Sequence, residues 1–177
     1  FGDATATTTA QVKQNWEAAK KTEKQRDSLL DGLPVTLPQL ARAVRLSEKA
    51  SRVGYDFPQR EMLFDKLNEE LQELADELFS DGKIPNVPAE VSSPIVEDQP
   101  LGDSRLKDRV ENEIGDVLFV VANIARRWGI NPEEALRRTN RKFEGRFRFI
   151  EQRAAEADKA LSDLTLQQME DFYQEGK

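Results

Sequence analysis

The amino-acid sequence predicts an all-α fold, a helical bundle with a central buried helix and a long loop containing Pro and Gly. Apolar residues recur at spacings of three and four in several segments, the pattern of one helix face. No segment alternates apolar and polar residues as a half-buried strand does. Pro and Gly mark the breaks between the periodic segments.

The first stretch, FGDATATTTAQ, is small, polar and expected to be loose. Val12 to Leu30 is charged and helix-compatible, with Trp16 as its anchor and little apolar periodicity. Residues 1–33 therefore read as an arm or connector, and 34–177 as the main helical domain. Leu30 to Pro38 is a break with two prolines. A helix follows over Leu37 to Val53, with Leu40 and Val44 at helical spacing; Gly54 ends it, and YDFP turns the chain. The next helix is predicted from Pro58 to Phe79. Its apolar stripe is Leu63, Leu67, Leu71, Leu74 and Leu78, and the last four fall within about 60° on a helical wheel. Ser80 to Asp103 holds four prolines and two glycines and reads as a long loop. Ser104 to Trp128 is the predicted central helix, with Val110, Ile114, Val117 and Val121 as its core stripe and Gly129 as its stop. Asn131 as N-cap, Pro132 at the first helical position, and Glu133 and Glu134 against the dipole open a helix expected to run to about Ala160. The last helix, Thr165 to Glu175, carries Leu166, Met169 and Phe172 on one side.

Two absences restrict the chemistry. Without Cys there are no disulfides, thiolate nucleophiles or Cys-type zinc sites; without His there is no imidazole base and no His-ligated metal. Hydrolysis would lean on carboxylates, most simply around a hard cation. The net charge of -7, with no basic stripe, argues against nucleic acid as a partner. No apolar run approaches the roughly 20 residues of a membrane span. The absence of Cys and of a visible signal peptide leads us to expect a cytoplasmic protein. A start at Phe1 rather than Met is expected of a processed or truncated chain.

Within this framework two acidic pairs stand out. Glu70 and Glu73 lie three apart on one flank of the Leu67–Leu78 stripe. Glu113 and Asp116 lie three apart on the corresponding flank of the central helix, and the same row continues through Val120 to Asn123, a candidate substrate contact. Either pair alone is most often a solvated helix face. If the two helices pack antiparallel, however, four carboxylates can converge, and such a cluster needs raised pKa values or a cation. Oxygen ligands without His select Mg²⁺, Mn²⁺ or Ca²⁺. Gly115, between the second pair, costs about 1 kcal/mol in a helix and often marks close packing or a ligand. Lys142 and Arg146, four apart beside Phe143 and Phe147, can form a plain ion-pair network or meet phosphate oxygens. Lys66 and Arg109 each precede an acidic pair by one turn and are candidates for orienting it or for binding substrate.

These residues resemble a known family. KLNEELQE followed by ENEIGDVLF is similar to the EExxE, spacer, ExxD pattern of MazG, a nucleoside triphosphate pyrophosphohydrolase of the all-α NTP pyrophosphatase superfamily. The stretches LDGLPVTLPQLARAVRLSEKASRVGYDFP, VANIARRWGINPEEALRRTNRKFEGRF and LTLQQMEDFYQEGK continue the match to the C-terminal half of that family in order, and Phe1-Gly2-Asp3 resembles the segment leaving its N-terminal domain. The resemblance implies Mg²⁺-dependent cleavage (Mn²⁺ also serving) of nucleoside triphosphates between the α and β phosphates, in a homodimer or larger homo-oligomer. It implies Glu70, Glu73, Glu113 and Asp116 as metal ligands, and Lys142 and Arg146 as nucleotide contacts. Arg109 falls where some members have Lys. Tyr173 and Phe57 stand where the family presents Trp, and the Ser80–Asp103 loop is longer than the usual spacer. Glu69, beside the ligand pair, is the candidate general base or orienting group. A helical module that binds nucleotide or dimerises without catalysis is the alternative, as is a sibling dUTP or phosphoribosyl-ATP pyrophosphohydrolase.

Overall fold

The computed structural model describes residues 28–86 and 96–177. The predicted arm around Trp16 and the middle of the long loop lie outside the described residues. Among the described residues there are five α-helices and no strand. They are α1 (Gln39–Ser51), α2 (Met62–Leu78), α3 (Ser104–Arg127), α4 (Pro132–Glu156) and α5 (Leu166–Glu175), with a 3₁₀ turn at Leu161–Asp163 before α5.

Helix ends explain most departures from the sequence reading. α2 begins at Met62 rather than near Pro58 because the preceding residues close i→i−3 bonds, Met62 N–H to Gln59 O, Leu63 N–H to Arg60 O and Phe64 N–H to Glu61 O. α1 and α3 stop where Gly54 and Gly129 adopt left-handed backbone, with φ of 88° and 69°. In both, the next N–H reaches back five residues, Tyr55 to Ala50 O and Ile130 to Ala125 O. α4 stops at Glu156, short of the predicted Ala160, with the same cap built on Asp158 (φ 51°) and Lys159 N–H donating to Ala154 O.

The chain packs as two units. Among the described residues, the first comprises 28–74 and 111–133. Its buried side chains include Leu63, Val120 and Ala122 together with the polar Ser47, Glu70 and Asn123. α1 starts after Pro38 with no side-chain cap of its own. The Glu133 carboxylate supplies one instead, accepting the Ala41 N–H at 3.3 Å. Lys49 Nζ holds the segment before α1 through the Leu29 and Asp31 carbonyls. Trp128 packs edge-on against Phe64, centroids 5.8 Å apart, and carries the Arg60 guanidinium 4.4 Å from its ring.

Among the described residues, the second unit comprises 75–86, 96–110 and 134–177. Ile150, Ala154 and Leu164 form its core, with Leu161, Met169 and Phe172 packed against them. Thr165 and Gln168 cap α5 reciprocally: Gln168 N–H donates to Thr165 Oγ1, and Thr165 N–H to Gln168 Oε1.

The predicted core stripes hold in part. Leu63 and Val110 are buried and Leu67, Leu74 and Val117 half-buried, but Leu71 and Leu78 on α2, and Ile114 and Val121 on α3, are exposed, and Glu70 and Val120 are buried instead. At 100° per residue, the buried face of α3 is turned about 60° from the predicted stripe, toward Glu113 and Val120, and that of α2 turns toward Glu70. Glu70 and Glu113 therefore turn inward while Glu73 and Asp116 stay exposed, and one apolar flank of each helix faces solvent.

Candidate metal centre and adjoining cavity

In the first unit, α2 supplies Glu70 and Glu73 and α3 supplies Glu113. One carboxylate oxygen from each lies within 4.8 Å of the others. Glu70 is 5% exposed, Glu113 is half-buried and Glu73 is open to solvent. Glu113 Oε2 is buried with no hydrogen-bond partner among the described residues. A buried anionic oxygen without a donor is costly, and a cation relieves it. Desolvation, then repulsion from Glu70, pushes the Glu73 carboxyl above its ordinary value; Lys66 opposes this and Glu113 adds to it. All the donors are hard oxygens, the set that suits Mg²⁺ or Mn²⁺. The residues present thus fit the cation that the resemblance implies.

Lys66 offsets part of the charge. Its Nζ lies 2.8 Å from Glu70 Oε1 and 2.9 Å from Glu69 Oε1. These two bonds, Glu70 foremost, push the ammonium above its ordinary range. Glu69 is exposed and stands outside the three-carboxylate group, linked to it through Lys66. Asp116 also stands outside the group, but with Glu70 it lines a cavity of about 640 Å³. That volume lies within the usual range of small-molecule sites.

Leu46, Ala50, Phe57, Phe119 and Val120 give the cavity apolar walls, and Lys66, Asn123, Asp56 and Arg126 add polar groups. The Arg126 guanidinium donates through Nε to Asn123 Oδ1 and through Nη2 to Asp56 Oδ1, both at 2.8 Å. Arg127 Nη1 bonds Phe57 O at 2.7 Å and lies 2.9 Å from Asp56 Oδ1. Burial works against ionisation of Asp56, but the bonds from Arg126 and Arg127 outweigh it and hold the carboxyl below its ordinary value. Sequence reading missed Asp56 and Arg126. The available signal was an Asp in the YDFP turn and an Arg pair ending an apolar helix, 70 residues apart.

The remaining candidates belong to the second unit. Arg109 Nε is engaged by Glu77 Oε2 at 2.7 Å. Arg146 lies over the Tyr173 ring, 5.0 Å from its centroid, with Nη1 3.4 Å from the hydroxyl. Phe143 stacks on Phe147 and meets Tyr173 at a tilt. Lys142 is exposed on the same helix.

Residues 59–148, half of the chain, match the MazG nucleotide pyrophosphohydrolase domain. The chain is 31% identical over 180 residues to the nucleoside triphosphate pyrophosphohydrolase of Escherichia coli K12, a match covering 100% of this chain and 60% of that protein. It is 28% identical over 166 residues to the nucleoside triphosphate pyrophosphohydrolase/pyrophosphatase MazG of Thermotoga maritima, covering 93% of this chain and 54% of that one. It is 35% identical over 168 residues to the uncharacterized protein YabN of Bacillus subtilis, covering 94% of this chain and 30% of that protein. The chain thus spans 60% or less of the length of these relatives. The clustered carboxylates, Asp116, Asn123 and Arg126 all fall within the matched residues. The all-helical fold and this match agree: the chain belongs to the MazG nucleotide pyrophosphohydrolase domain family.

Proposed function

We propose that the chain hydrolyses nucleoside triphosphates at the α–β phosphate bond, releasing a nucleoside monophosphate and pyrophosphate. The observation that carries this reading is the Glu70–Glu73–Glu113 group, with its unpartnered Glu113 oxygen and with Glu70 also lining the cavity. Those three carboxylates and Asp116 would hold Mg²⁺, or Mn²⁺ in its place. Bound there, the cation supplies Lewis-acid polarisation of the phosphoryl oxygens and neutralises their charge. Glu69 accepts the proton of the attacking water through the oxygen that Lys66 leaves unengaged. The water oxygen bonds to the α-phosphorus as the bond to the bridging oxygen breaks and pyrophosphate leaves. With Glu70 holding the cation, Lys66 would be free to turn from that carboxylate to a phosphate oxygen. The apolar walls enclose the nucleoside.

Further parts of the reading rest on the resemblance. Lys142 and Arg146 contact nucleotide phosphates, Tyr173 falls where the family presents a Trp near the nucleotide, and Arg109 is a substrate contact steadied by Glu77. A homodimer or larger homo-oligomer is part of the same proposal, supported by the exposed apolar flank of α3. So are the cytoplasm as working place, where the nucleotide pool lies, and the exclusion of nucleic acid as a partner, supported by the net charge of -7. No helix of the described residues is long and apolar enough to cross a membrane.

The test is pyrophosphate release from nucleoside triphosphates with Mg²⁺. Glu113→Gln is expected to lose at least about 100-fold in turnover and most of its Mn²⁺ binding by calorimetry. Release near the wild-type rate by that variant overturns the reading.

A further inference from the structure

The Asn123 side chain is 8% exposed and lines the cavity. An amide can be turned either way, and its neighbours decide which. Here the neighbour is a guanidinium, which only donates. Arg126 Nε–H points at the amide from 2.8 Å, so the oxygen must face it; the flipped amide would set N–H against N–H. Arg126 is itself fixed, because its Nη2 is bonded to Asp56. Asp56 is fixed in turn by Arg127 and by the Phe57 N–H at 2.9 Å. The chain of contacts leaves one group over. Asn123 Nδ2 has no hydrogen-bond partner among the described residues. Lys66, a second donor at the cavity, is engaged by Glu70 and Glu69. The NH₂ is a donor held in one orientation and open to the cavity, where a ligand acceptor can meet it.

We propose that Asp56 and Arg126 are positioning residues that lock the Asn123 amide with its NH₂ toward the cavity, making Asn123 a specificity-determining donor to an acceptor atom of the nucleobase. This rests on the cavity being the nucleoside pocket of the proposed hydrolase. The flat heteroaromatic face meets Leu46, Phe57, Phe119 and Val120, while the acidic members of the lining, Glu70 and Asp116, belong to the triphosphate. Asn123 sorts bases because a site built around one donor rejects a ligand that sets another donor, or an apolar edge, against it.

The experiment measures equilibrium binding of the non-hydrolysable α,β-methylene analogues of ATP, GTP, CTP and UTP, and of inorganic tripolyphosphate, with Mg²⁺ present. It compares wild type with Asn123→Asp, Asn123→Ser and Asp56→Asn. Asn123→Asp keeps an acceptor for Arg126 and removes the NH₂; Asn123→Ser removes the NH₂ without adding charge and leaves only a shorter hydroxyl set back from the cavity. Both are expected to weaken the best-bound nucleotide about tenfold more than tripolyphosphate and to narrow the spread among the four bases. Asp56→Asn is expected to act in the same base-dependent direction, raising KM for the natural triphosphate with kcat little changed. Thermal unfolding identifies any variant that fails to fold, and the remaining two carry the comparison. Equal weakening of tripolyphosphate and nucleotides, or an unchanged spread among the four bases, overturns the proposal. Wild-type protein that binds the analogues selectively but releases no pyrophosphate overturns the hydrolytic reading alone.

Discussion

At the scale of single residues, the carboxylates of the first unit divide into two environments with opposite responses to pH. Glu73 is held above its ordinary value by desolvation and by Glu70, so acid relieves a strain there. Asp56 is desolvated, but the bonds from Arg126 and Arg127 outweigh that and hold its carboxyl below its ordinary value. Its depressed value means that its contribution to stability is complete above about pH 4 and is lost as pH falls through the folded-state value. Asp56→Asn is therefore expected to lower the thermal midpoint at pH 7, and the gap to wild type is expected to shrink steadily below about pH 4. A gap that stays constant down to pH 2 contradicts the clamp. The acidic pairs were legible in the sequence because residues three apart on a helix share a face. Asp56 and Arg126 were not: their bond spans 70 residues, and nothing local announces which Arg meets which turn. Asp116 was read as an equal member of the metal group, yet stands outside the three that converge, since a helical wheel gives the direction of a side chain but not its reach.

Among the elements, helix existence was readable and helix ends were readable only where the residue type announces them. Gly54 and Gly129 marked their caps, because left-handed backbone favours Gly. Asp158 forms the same cap without that signal, so α4 was predicted about four residues too long. The stripe positions missed by a fraction of a turn for a different reason. Counting apolar residues centres a face on its Leu and Val, and it cannot see that Glu70 and Glu113 are drawn inward. α5 offers a clean check of element stability, since its reciprocal cap is local and exposed. Thr165→Ala is expected to cost about 1 kcal/mol, measured by urea denaturation; a change below a few tenths would remove the capping contribution from the account.

For the whole molecule, the informative surface is the one that composition alone would have buried. Ile114, Leu118 and Val121 follow one another at four and three along α3, and all are exposed. Large apolar side chains repeated along one helical face mark an association surface more often than a solvated one. In the proposed homo-oligomer this flank is the contact, and Leu118→Glu is expected to shift the protein to monomer in sedimentation at micromolar concentration. An unchanged sedimentation coefficient would move the contact elsewhere. The fold class was legible throughout, since no stretch had the two-residue period of a strand.

The Glu133 cap on α1 carries a consequence for how the chain comes to be folded. α1 begins after Pro38 without a capping side chain, and the carboxylate that receives its Ala41 N–H is 92 residues further along. A helix of 13 residues is marginal by itself. During synthesis the Ala41 N–H lacks this acceptor until the first turn of α4 has emerged, so the start of α1 is capped only after the central helix is made.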